Sequence, residues 1–156
     1  MPPKKPAYAD DISDREWALL HCPVQRIPEA ERDYLRERLV AYGQGLTWRD
    51  HCGRVEVTFR GSHAYVEAWM RKPVEKPDVI EHFEQSGYGI PWEHPFKLMR
   101  LGYIGKRDDW LFGFFRYSNE KYHPSFFSDG STSGTPEAAF DIAAWVYLKE
   151  ASGPPP

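Results

Sequence analysis

Cysteine is scarce in this 156-residue chain, with two in all, Cys22 and Cys52. With no export signal beside them they read as reduced thiols of a cytoplasmic protein rather than as a disulfide framework. No paired Cys-x-x-Cys supplies the usual zinc spacing. Long apolar runs are missing too, and none approaches the ~20 residues of a membrane-spanning helix. The opening MPPKKPAYADD carries charge but no apolar stretch, so it is not expected to be a secretory signal. Neither sign of charge dominates: 20 Lys and Arg against 23 Asp and Glu leave a net charge of −3. That argues against the broad basic footprint of a nucleic-acid binder. Catalytic signatures are lacking as well: no glycine-rich phosphate loop, no Gly-x-Ser-x-Gly and no His-Glu-x-x-His. There is no internal repeat.

What the chain does have is rings. Aromatic residues make up 15% of it, enough for thin layers to build a firm core. The length suits one domain, expected over 12–150, between disordered tails at 1–11 and 151–156. Ser13 and Glu16 form a capping-box pattern for a short helix, Asp14 to His21. Pro28 opens a second helix running to Tyr42, with Leu35, Leu39 and Tyr42 on one stripe and Gly43 as its stop. Asp78 starts a third, ended at Gly87. Thr135-Pro136-Glu137 starts a last helix, apolar nearly all round, that runs to Lys149.

Between the helices the period changes to two. Val55, Val57 and Phe59 alternate with polar residues, as do Ala64, Val66 and Ala68. The two apolar sets have opposite parity, so they share a face only if paired positions sum to an odd number. A two-residue Gly61-Ser62 loop meets this condition and sets Glu56 opposite Glu67 in a hairpin over 54–70. From Phe96 to Ser128 a three-strand meander is expected. Its middle strand turns Trp110, Phe112 and Phe114 one way and Leu111, Phe115 and Tyr117 the other, as in a central strand. Whether hairpin and meander form one sheet or two is open. The fold class is α+β: antiparallel strands packed by helices near 28–42 and 136–149.

Four groups of residues could carry chemistry. Glu56 and Glu67, opposed on the hairpin with His63, Tyr65 and Trp69 around them, could share a proton or hold a hard metal ion. The competing reading is a solvated face on which the two acids lean apart beside Arg54 and Arg60. His21, Cys22, His51 and Cys52 carry zinc-type donors, but adjacent ligands diverge, so no metal site is assigned. The loop 88–95, with Trp92, Glu93 and His94, could form the lip of a pocket, or Trp92 could plug the core. Finally, a Ser118–Lys121 turn would set Arg116 opposite His123, with Lys97 beside them and Arg100, Lys121, Tyr117 and Tyr122 near. Basic residues interleaved with aromatics suit single-stranded nucleic acid; a solvated sheet end is the bland alternative.

The meander followed by Gly134, Thr135, Glu137 and Ala138 resembles the end of HicB-type antitoxins, in which a sheet leads into a similar helix start. The likeness spans about a quarter of the chain and implies a regulatory, nucleic-acid-linked role. The element order is also similar to that of double-stranded-RNA-binding domains, without their basic helix start. No site residue is carried over from either. The expected function is a non-enzymatic interaction or ligand-binding module that uses the polar face of hairpin 54–69 and the loop 88–95, with no cofactor. A protein or small-molecule partner is favoured over nucleic acid. A small metal-dependent hydrolase or nuclease built on Glu56 and Glu67, and a nucleic-acid-binding or antitoxin-like regulator, are the alternatives.

Overall fold

The computed structural model describes residues 24–73, 77–86 and 90–149. The expected tails, the helix at Asp14–His21, the His21-Cys22 pair, Gly87 and the start of the loop 88–95 lie outside these residues. The elements in order are α1 (Glu29–Gly43), β1 (Cys52–Arg60), β2 (His63–Met70), α2 (Pro77–Ser86), β3 (Phe96–Lys106), β4 (Asp109–Arg116), β5 (Lys121–Pro124), β6 (Ser133–Gly134) and α3 (Pro136–Ala144). α3 continues into a wider π-helical turn over Trp145–Lys149. The class is α+β, and hairpin and meander belong to one antiparallel sheet, ordered β1-β2-β3-β4-β5.

The hairpin pairs as its parity demands, with Val57 opposite Val66 and Glu56 opposite Glu67. Gly61 has φ +57 at the first loop position, a conformation that glycine adopts without the Cβ penalty and that suits a two-residue hairpin. β2 then joins β3 with an irregularity. Val66 faces Met99 but Glu67 faces Lys97, which leaves Leu98 as an extra residue. This β-bulge turns Lys97 onto the same face as Glu67. β4 is central. β3 lies on one side of it, and β5 and β6 sit end to end on the other. β6 has no counterpart in the sequence reading, because two residues carry no period.

One face of the sheet is covered by α1 and α3. α1 lies over β1, burying Leu35 and Leu39 with Val55 and Val57, while α3 packs Ala139, Phe140, Ala143 and Ala144 toward β3 and β4. Each large side chain so buried contributes roughly 1.5–3 kcal/mol. Gly43 does end α1, but not as a left-handed cap. It is buried, and a Cβ built on it would lie 2.5 Å from Val55 Cγ2. Glycine stands there so that helix and strand can touch. Thr135 caps α3 as expected, its hydroxyl accepting from Ala138 N–H at 3.2 Å. Glu137 is tied to Arg38 of α1, and Arg38 also reaches Asp108 at 2.6 Å. Asp141 accepts from both Tyr42 Oη (2.7 Å) and Trp48 Nε1 (2.8 Å), fastening α3 to the end of α1. Where α3 widens, Tyr147 slots between Phe96 and Phe114, stacked on each at 5.6 and 5.3 Å.

Candidate functional site

The other face of the sheet carries the residues singled out on the hairpin. By register, Arg54, Glu56, Thr58 and Arg60 of β1 share it with His63, Tyr65, Glu67 and Trp69 of β2. Lys97 and Arg100 of β3 join them, followed by Gly113 of β4 and Pro124 of β5. Phe115, which is buried, and Tyr122, paired with it across β4 and β5, complete this side of the sheet. Two groups that are far apart in sequence therefore meet here: the hairpin acids, and part of the basic strip of the meander.

The arrangement is repetitive. Arg54 lies over Trp69 at 4.6 Å, Arg60 over Tyr65 at 5.8 Å, Arg100 over Tyr122 at 5.4 Å and Lys97 over Phe115 at 5.1 Å. A cation over a ring face is attracted by its quadrupole. The rings also touch one another, Tyr65 to Tyr122 at 5.5 Å and Tyr122 to Phe115 at 4.9 Å, in the edge-on geometry such rings prefer.

Glu56 and Glu67 lie side by side within this field, and their neighbours differ. Arg54 reaches Glu56 at 3.4 Å. Glu67 has Lys97 opposite it on the far side, so Glu56, Glu67 and Lys97 form one cross-strand row, with Arg54 beside Glu56 on its own strand, and the acids are not an isolated repulsive pair. Glu67 also acts on the tyrosines. Burial first, and then the Glu67 charge, push the Tyr122 phenol up to about 12. The Tyr117 phenol is raised by burial, with Glu67 adding to the shift, although Tyr117 Oη accepts the Lys97 backbone N–H at 2.7 Å.

His63 does not complete a catalytic group with the two acids. It is four residues from Glu67 along one strand, roughly 13 Å at the usual rise. Its ring lies near Tyr65 at 6.5 Å, and Nδ1 is 3.3 Å from Ser62 Oγ. Burial, and then the Arg100 guanidinium, hold its pKa down at about 4, so it is neutral at physiological pH. It lines a small hollow with Arg100, Pro124, Ser125, Phe126 and Thr132, floored by Gly102 and Gly113. The hollow measures about 30 Å³, room for about one water and far below a small-molecule pocket. Neither glutamate lines it. Among the described residues no three His, Cys, Asp or Glu side chains gather as a metal site.

The remaining candidates fall elsewhere. Arg116 pairs with Lys121, and His123 pairs with Phe114. The loop thus closes one residue earlier than its sequence suggests, because Glu120 takes up a left-handed φ of +52. Arg116 and His123 share the helix-covered side of the sheet, away from Lys97 and Arg100, so the basic strip is split between two faces. His123 is buried and bonded to Asn119 at 2.8 Å. Trp92 packs against the core, and Glu93 and His94 are exposed beside it. The loop 88–95 is joined to the sheet through Met70 N–H and Pro91 O at 2.8 Å. Cys52 is buried under α1, and the His51 ring packs on Trp48 at 6.2 Å. Phe115 is the residue that sequence reasoning passed over. It looked like one more core ring, and only the register puts it between Lys97 and Tyr122.

Neither a family model, nor a curated protein, nor a solved structure matches the chain. The helix-start motif shared with HicB-type antitoxins is accounted for locally by the Thr135 cap and the Glu137–Arg38 pair. The order also departs from that of double-stranded-RNA-binding domains, since α2 stands between β2 and β3.

Proposed function

We propose that the protein is a non-enzymatic binding module whose recognition surface is the open face of the sheet, centred on Tyr65, Glu67, Trp69, Arg100 and Tyr122. The observation that carries this reading is the set of four cation–ring pairs on one continuous face. Side chains held in this way are pre-ordered, so a partner loses less entropy in binding them. Arg and aromatic residues are also the types that dominate binding energy at interfaces. The four cations outnumber the two acids locally, in a chain whose net charge is −3. The face therefore suits a partner with flat and anionic groups, and Glu56 and Glu67 add a place for a cationic group of the partner, which discriminates against plain polyanions such as nucleic acid. The partner is accordingly a protein or a small molecule.

The test is a backbone amide NMR titration of the full chain against panels of peptides and anionic heteroaromatic compounds. The expected shifts centre on Tyr65, Trp69 and Tyr122, and Arg100→Ala with Tyr122→Ala abolishes them while the remaining spectrum stays folded. Shifts confined to other surfaces, or binding unaffected by the double substitution, would overturn the proposal.

A further inference from the structure

The sheet ends differently on its two flanks. On one, the short strands β5 and β6 divide the edge of β4. On the other lies β1, nine residues long, with no strand beyond it among those described. In a hairpin with a two-residue loop, Arg60 and His63 exchange both backbone hydrogen bonds. The alternation of the ladder then points the N–H and C=O groups of Glu56 and Thr58 toward β2, and those of Val55, Val57 and Phe59 outward. The Val57 carbonyl shows this directly, since it accepts from Arg36 Nε of α1 at 3.4 Å. Among the described residues that long bond is the only one made to these six outward groups. Above the edge, between α1 and β1, is an open hollow of about 360 Å³ lined by Glu29, Arg32, Asp33, Arg36, Thr58 and Phe59.

We propose that the β1 edge takes up an extended peptide segment of another protein as an added antiparallel strand, its alternate side chains entering the hollow beside α1. Unpaired edges are templates for such addition, with backbone bonds giving affinity and side-chain pockets giving selectivity. The charges on the edge set the sequence preference. From Arg60 to Arg54 the open-face side chains run cation, Thr58, Glu56, cation, so the facing positions of the guest favour acid, threonine, lysine, acid. A second copy of this chain does not fit. Paired strands lie ~4.8 Å apart, whereas helices need 8–10 Å, and edge-to-edge pairing would drive two α1 helices together on one face. The backbone edge of β1 is distinct from the centre of the open face, although the side chains of Arg54, Glu56 and Arg60 border both.

The probe is the peptide Ser-Glu-Val-Thr-Val-Lys-Val-Glu-Ser, compared with its charge-reversed counterpart (Lys, Glu and Lys at the three charged positions) and with a version N-methylated on its three valines. Amide hydrogen exchange of the full chain is the readout. The expected result is slowed exchange at Val55, Val57 and Phe59 with the first peptide. Reversing three cross-strand charge pairs should weaken binding about tenfold, and N-methylation should abolish it. Unchanged exchange at those three amides under saturating peptide, equal binding of the N-methylated peptide, or a concentration-dependent dimer in sedimentation would each overturn the proposal.

Discussion

Replacing Gly43 with alanine tests how closely α1 sits on β1. The backbone there is right-handed helical, so alanine gains up to about 1 kcal/mol in helix propensity. Against this, the new methyl would lie 2.5 Å from Val55 Cγ2 and 3.3 Å from Cys52 Sγ. Val55 is buried and β-branched, held by α1 on one side and Ala68 across the hairpin, so it cannot swing clear. Overpacking of this kind costs about 1–3 kcal/mol. The net expectation is a loss of about 1 kcal/mol, or a Tm lower by about 2–4 °C for a chain of this size. The decisive measurement is a double-mutant cycle in urea. With Val55→Ala already in place the clashing methyl is gone, and Gly43→Ala should become stabilising, giving a coupling of about 2 kcal/mol between the sites. If Gly43→Ala has the same sign in both backgrounds, close approach is not why glycine occupies the position.

Three further outcomes can be measured. The pKa of His63 is depressed on folding from 6.5 to about 4, so the unfolded chain binds more protons between those values. Stability should therefore be fully present above pH 6.5 and fall as the pH drops toward 4, and His63→Gln should flatten that part of a urea-midpoint profile. Asp141→Ala strands the Tyr42 and Trp48 donors and should cost about 2 kcal/mol or more, whereas Asp141→Asn keeps an acceptor oxygen and should cost less than half of that; equal losses would refute the shared-acceptor role. Glu56→Gln relieves the opposed charges and should stabilise by about 0.2–1 kcal/mol, a gain that shrinks in 1 M salt; a loss would mean that the Arg54 contact outweighs the repulsion.

The hairpin register, the α3 cap and the two main helices were legible because each rests on a short-range rule: parity, cap chemistry or an apolar stripe. Glu56 opposite Glu67 followed from such a rule and needed no knowledge of the rest of the chain. The position of Lys97 did not follow, because it depends on Leu98 being the extra residue of a bulge, and a bulge leucine looks like any other apolar residue. The offset of Arg116 from His123 was hidden in the same way by a single left-handed residue, Glu120. The merging of hairpin acids and meander cations into one surface needed the β2–β3 pairing, a contact between segments some thirty residues apart in sequence that no local pattern specifies. Gly43 was read correctly as a helix end, but its reason lies in Val55, twelve positions on.

The division of one flank between β5 and β6 has a consequence for stoichiometry. A sheet that can be extended on both sides is a monomer for a polymer, each addition exposing a fresh end. Here, among the described residues, the end formed by two short strands offers no continuous ladder, and β1 is the one long edge. On the proposal of strand addition, the molecule joins an extended sheet through that flank alone, as a terminator and not as a link.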